Sequence, residues 1–225
     1  MNKELLTSRF FTTEDNRMDT VVFPLPKHWW SRFYEYAWAA EFCKETDVVL
    51  DAACGIPHPF KFYMAKGCKE VHAVDKDERI LDYQKLGQAI DETFGANSRA
   101  NCPEEFVKQV FVKQADLTKL PYKNSMFDKI FCISALEHID DADKVKAWTE
   151  FKRVLKKSGM LILTIDYSKS PEYSSATMDE IEKLANDAGF KLAGEKDETI
   201  PTNAIKWNNS LFCFRMVLVK SKEGE

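Results

Sequence analysis

From about residue 47 onward, short apolar runs alternate with stretches in which apolar positions recur every three or four residues. The runs predict strands over 48–52, 70–74, 109–115, 127–134, 160–167, 190–196 and 211–219. The longer-period stretches predict helices over 59–66, 78–90, 143–156 and 178–188, with Gly67, Gly159 and Gly189 where left-handed C-caps are expected. Alternation of this kind belongs to βαβ units and a parallel sheet. The last two strands follow one another without a helix, so they are expected to pair antiparallel at one edge. The expected fold class is therefore α/β: a doubly wound, mainly parallel, seven-stranded sheet with an antiparallel C-terminal hairpin and helices on both faces.

Residues 1–45 stand outside this alternation and read as an N-terminal extension of a single domain whose α/β core spans 46–225. The aromatic segment 23–42 has helical character, since Trp30, Tyr34, Trp38 and Phe42 recur every four residues. That stripe suits a helix packed by its aromatic face, or a lid whose rings attract a cation.

Composition narrows the picture. At 225 residues, 44% hydrophobic and 30% charged, the chain can bury one sizeable core. Its apolar runs are far shorter than the roughly 20 residues that cross a bilayer, and no signal peptide is expected. Six cysteines without a CxxC pair point to a reducing, cytoplasmic setting. A net charge of −4 and a pI near 5.7 disfavour nucleic acid as a partner. His28, His58 and His72 lack the paired spacing and Cys neighbours of a zinc site, and no metal is expected.

Open α/β sheets bind ligands beyond the carboxyl ends of their strands, and acids stand there in order. Val48-Val49-Leu50-Asp51 runs into the small residues Ala52-Ala53-Cys54-Gly55, a turn that lets backbone approach a ligand closely. Asp75 ends the next strand, where its two oxygens can hold both hydroxyls of a ribose. Asp116 ends the third and can accept from an adenine amino group, with the Leu117 amide on a ring nitrogen. The fourth carries Ser134 and continues through Ala135-Leu136-Glu137-His138. This order suits a nucleoside lying across the switch point.

These segments, LDAACG, AVDKD, ADLTKLPYKNSMFDKIFCISALEHI and FKRVLKKSGMLILTI, resemble the class I methyltransferases that use S-adenosyl-L-methionine (SAM), over about residues 47–167. The LPYKNSMFDKI and ALEHI stretches look like the branch acting on small metabolites. The resemblance implies SAM as cofactor, S-adenosyl-L-homocysteine as product, and a small-molecule acceptor methylated on N or O. It places Asp51, Ala53 and Gly55 around the amino-acid end of SAM, Asp75 and Lys76 at the ribose and adenine, and Asp116 with Leu117 at the base. The family has glycine where this chain has Ala53 and Pro57: alanine adds a methyl and proline removes an amide donor. Lys76 stands where an apolar residue commonly packs on adenine, a task for its aliphatic stem.

Methyl transfer needs acceptor and methyl carbon held in line, and a neutral acceptor must lose a proton. His138 is the candidate base, the alternative being a polar contact beside Glu137. Asp166 and Tyr167 are candidates to orient the acceptor. Arg32 and Tyr36 are candidates for the SAM carboxylate, the alternative for Arg32 being a surface pair with Glu35 or Glu41. Lys152, Arg153, Lys156 and Lys157 read as cations meeting a helix C-terminus. Three rival functions stay open: a SAM-binding partner without turnover, an RNA methyltransferase with a groove built from Lys61, Lys66, Lys69 and Lys123, and a nicotinamide dehydrogenase. The last lacks its GxGxxG.

Overall fold

The computed structural model describes residues 2–101, 109–168 and 178–221, and in it strand periodicity sorts apolar side chains onto two faces of one sheet. Ahead of the alternating region come a helical turn α1 (Lys3–Leu6), short strands β1 (Ser8–Phe10), β2 (Thr20–Val21) and β3 (Phe23–Pro24), and helix α2 (Arg32–Ala40). Then follow β4 (Val48–Ala52), α3 (Phe60–Met64), β5 (Glu70–Asp75), α4 (Tyr83–Phe94), β6 (Val110–Gln114) and β7 (Phe127–Ile133). Helix α5 (Asp141–Val154), β8 (Leu155–Ser168), α6 (Met178–Asp187), β9 (Phe190–Leu192), β10 (Lys196–Asp197), β11 (Lys206–Trp207) and β12 (Leu211–Lys220) complete the order.

Strands β6, β5, β4, β7 and β8 lie side by side and parallel, and β12 runs antiparallel against β8. The chain leaves β4 toward β5 on one side and later returns to β7 on the other, which makes the β4/β7 boundary the switch point. Within strands, neighbours part company. Val49, Phe131, Ile162 and Val217 join one core cluster with residues of α2, α3 and α4, while Leu50, Ile130, Leu161 and Leu218 join another with residues of α5 and α6. Helices thus cover both faces, as expected.

All seven expected strands are present, and three short ones extend the sheet to ten among the described residues. The extra strands correct the sequence-based view of the N-terminus. Helix character over 23–42 is confined to α2, and β1 pairs antiparallel with β12, Arg9 opposite Arg215. The strand expected over 190–196 stops at Leu192, because the chain at α1 takes its place: a Cβ on Gly194 would lie 2.5 Å from the Leu6 carbonyl oxygen. β1 then occupies the edge of β12 that the hairpin would have filled.

Other boundaries shift for local reasons. The helix expected over 78–90 is broken at Asp82, whose side chain accepts from the amides of Gln84 and Lys85 at 2.9 and 3.1 Å and so caps α4. Gly159 lies inside β8, not at a helix end, where a Cβ would meet the Asp128 carbonyl oxygen at 2.9 Å. Of the three expected glycine caps, Gly189 has the left-handed φ, +83°. The aromatic stripe packs inward: Trp38 and Phe42 are buried and meet edge to face at 5.2 Å.

Candidate functional site

The turn after β4 is shaped by two left-handed residues, Ala53 at φ 54° and Gly55 at φ 60°. Alanine tolerates that conformation at a cost of about 1 kcal/mol. Cys54 N–H donates to the Val74 carbonyl at 2.9 Å, and Gly55 N–H donates to Asp75 Oδ2 at 2.9 Å, so the turn is laid against the end of β5. Below it Lys61, fully buried on α3, points its ammonium at the carbonyls of Gly55 (2.6 Å), His58 (2.7 Å) and Ile56 (3.0 Å). A single cation thereby satisfies three loop carbonyls and fixes their direction.

Beside this turn opens a cleft of about 340 Å³ at the ends of β5, β6 and β7. Asp75, Lys76, Asp116, Leu117, Ser134 and His138 all line it, as the strand-end argument expects. Asp75 Oδ1 accepts from the Asp77 amide at 3.0 Å, so both carboxylate oxygens are oriented by backbone. Asp116 Oδ1 accepts from the amide and hydroxyl of Thr118 at 2.8 and 2.7 Å, which hold its carboxyl below the usual range and ionised. Lys76 is exposed and its carbonyl is held by the Gln114 side chain at 3.1 Å.

A smaller cavity, about 70 Å³, adjoins the cleft and shares Ala53 and Ser134 with it. Arg32, Tyr36, Asp51 and Gly55 are on its wall. Arg32 pairs with Glu35, as one alternative held, but the pair is buried rather than on the surface: Glu35 is fully enclosed. The other Glu35 oxygen accepts from Ser134 Oγ at 2.6 Å and Thr164 Oγ1 at 2.5 Å, so the Ser134 hydroxyl faces α2. Tyr36 OH bonds His58 Nδ1 at 2.6 Å. Burial pushes the Asp51 carboxyl up to about 7, opposed by the Lys61 ammonium and reinforced by Asp75.

Beyond β7, His138 stands exposed on the cleft wall, and partial burial with the nearby Arg32 charge holds its imidazole below 6.5. It is neutral at pH 7 and can accept a proton. Glu137 turns the other way. It is buried, accepts from the Asp166 amide at 2.8 Å, and burial pushes it up to about 8. Asp166 is likewise raised, to about 7, by burial and by Glu35.

Residue patterns alone did not pick out His58, Lys61 or Glu35 for this site. Lys61, one of the four lysines a basic groove would need, is completely buried and cannot contribute to one. The one local signal was its position two residues after Pro59 in an otherwise apolar helix, where a charge needs a nearby acceptor. Among the described residues there is no cluster of His, Cys, Asp and Glu that could hold a metal, and no helix long and apolar enough to cross a membrane.

With this geometry in view, known proteins offer a direct comparison. Residues 50–163, half of the chain, match the methyltransferase domain family. Phosphoethanolamine N-methyltransferase 3 of Arabidopsis thaliana is 28% identical over 165 residues, 67% of this chain and 30% of that protein. This chain spans less than a third of the length of the curated relatives it matches. A SAM-dependent methyltransferase from Aquifex aeolicus superposes with a TM-score of 0.56 at 21% identity, over 84% of this chain and 93% of that one. The [4+2]-cyclase SpnF superposes at 0.65 with 14% identity, over 94% and 86%. At these identities the structural likeness speaks for the fold, which carries more than one kind of chemistry.

Proposed function

This chain belongs to the methyltransferase domain family, and from that premise we propose that it uses SAM to methylate a nitrogen or oxygen of a small-molecule acceptor. The observation that carries the proposal is the pair of joined cavities at the switch point, with three strand-end acids, Asp51, Asp75 and Asp116, around them and His138 on the rim. The residues fit SAM: the cleft runs past the ends of β5, β6 and β7, and the turn brings the backbone of Gly55 to the cavity wall where a Cβ would strike His58 Cδ2 at 2.4 Å. Asp75 is assigned to the ribose hydroxyls, Asp116 and Leu117 to the adenine, Lys76 by its stem to the base, and Asp51, Ala53, Gly55, Arg32 and Tyr36 to the amino-acid end. Ser134 contributes through the wall it shares between the two cavities.

Bound SAM supplies a methyl group on a sulfonium, ready for in-line displacement. The chain's part is to hold the acceptor atom in line, exclude water and take up the acceptor's proton. His138 is assigned that proton. His138→Ala is expected to lower kcat about 100-fold or more while leaving the SAM dissociation constant unchanged, measured on the best acceptor from a panel of small amines and alcohols. Phosphoethanolamine belongs on that panel because a relative acts on it. An unchanged kcat would remove His138 as the base. Transfer to RNA, with none to any small molecule, would overturn the acceptor class.

Asp51 adds a pH dependence. A carboxyl at about 7 is largely protonated at pH 6, and a cationic amino-acid end bound beside it favours the ionised form. SAM affinity is therefore expected to rise severalfold from pH 6 to 8, with proton release on binding, and then to level off. Calorimetry in buffers of different ionisation enthalpy measures the protons. Asp51→Asn is expected to flatten the profile, and a mutant profile as steep as wild type would acquit Asp51.

A further inference from the structure

The loop that approaches the amino-acid end of SAM has lost an amide donor at Pro57, and the next residue, His58, occupies the wall of the same cavity. Its imidazole is held on three sides. It stacks on Trp29 at 4.3 Å and 14°, its Nδ1 meets Tyr36 OH at 2.6 Å, and its Cδ2–Nε2 edge lies over Gly55, Nε2 being 3.3 Å from where a Cβ would stand. Nε2 itself has no hydrogen-bond partner among the described residues.

Which nitrogen carries the proton depends on the Tyr36 contact. Arg32 stands on the wall of the same cavity as Tyr36 and can only donate. With the phenol donating to His58 Nδ1, the hydrogen of the neutral ring lies on Nε2. Burial, with Arg32 and Lys61 nearby, holds the imidazole well below 6.5, so the ring stays neutral and keeps a single N–H. In that tautomer Tyr36 and His58 form a pair of donors that ends in an N–H at the cavity wall.

We propose that His58 is a binding residue for the carboxylate of the SAM amino-acid end, its Nε2–H standing in for the amide that Pro57 removes, with Tyr36 as the residue that positions it. This deepens the methyltransferase assignment and rests on it. A carboxylate is the anionic group at that end of SAM, and a neutral donor beside the Arg32 guanidinium recognises it without adding a second cation next to Lys61.

The test separates the amino-acid end from the nucleoside. Wild type, His58→Phe, which keeps the ring stacked on Trp29, and Tyr36→Phe are titrated calorimetrically with S-adenosyl-L-homocysteine and with 5′-methylthioadenosine, which lacks the amino-acid end. His58→Phe is expected to weaken S-adenosyl-L-homocysteine about 10- to 100-fold and 5′-methylthioadenosine not at all, with Tyr36→Phe intermediate. Equal weakening of both ligands, or of neither, would overturn the proposal. Should His58→Phe fail to fold, ¹⁵N spectra of the wild-type imidazoles decide: a protonated Nε2 whose signal moves on S-adenosyl-L-homocysteine binding supports it, and a proton on Nδ1 or an unmoved signal overturns it. Failure of wild type to bind either ligand would instead count against the methyltransferase assignment itself.

Discussion

Asp75→Ala is expected to weaken SAM and S-adenosyl-L-homocysteine binding by at least about 100-fold, because it removes two charge-assisted bonds, each worth roughly 1.5–3 kcal/mol, from the ribose hydroxyls. The substitution also deprives the Gly55 and Asp77 amides of acceptors now at 2.9 and 3.0 Å, so the turn after β4 loses its tie to β5. Asp75→Asn keeps one carbonyl oxygen and should fall between the two. Calorimetric titration of the folded variants is the measurement. A dissociation constant within about threefold of wild type in Asp75→Ala would remove Asp75 from the binding site and move the ribose elsewhere along the strand ends.

Lys61→Met should cost the protein about 3 kcal/mol of stability and most of its SAM affinity. Methionine nearly matches the length and volume of the lysine stem, so packing is conserved while the carbonyls of Gly55, Ile56 and His58 lose their shared donor. Each buried acceptor left unmet costs roughly 1–3 kcal/mol, and the loop relieves that by turning toward water. The turning would spoil the cavity that the same loop lines. Urea denaturation reports the first effect and SAM titration the second. A variant as stable as wild type, binding SAM as tightly, would show that the loop holds its shape without the ammonium.

These expectations differ in how far the sequence could have supplied them. That Asp75 and Asp116 line the cleft is legible from position alone, since each follows a strand-like run and strand ends line the ligand side of an open sheet. The roles of Lys61 and His58 are not, because they depend on groups the local pattern does not reveal. The lysine sits in a five-residue helix and looks like any other charge until the loop carbonyls of residues 55, 56 and 58 are seen around it. Arg32 and Glu35 read as a helix-surface pair at a spacing of three, and become a buried pair where Ser134, just after β7, and Thr164 of β8 close over the carboxylate.

The sequence by itself determined the alternation of strands and helices, the two apolar faces of the sheet and the acids at the strand ends, because each follows from the period of side chains along a single element. Only the tertiary structure decided that Arg9 would lie opposite Arg215, that the Ser134 hydroxyl would serve Glu35 rather than the cleft, and that Tyr36 OH would meet His58 Nδ1. Those contacts join residues 206, 99 and 22 positions apart. Partners so distant are chosen by the packing of whole elements against one another, which no local periodicity encodes.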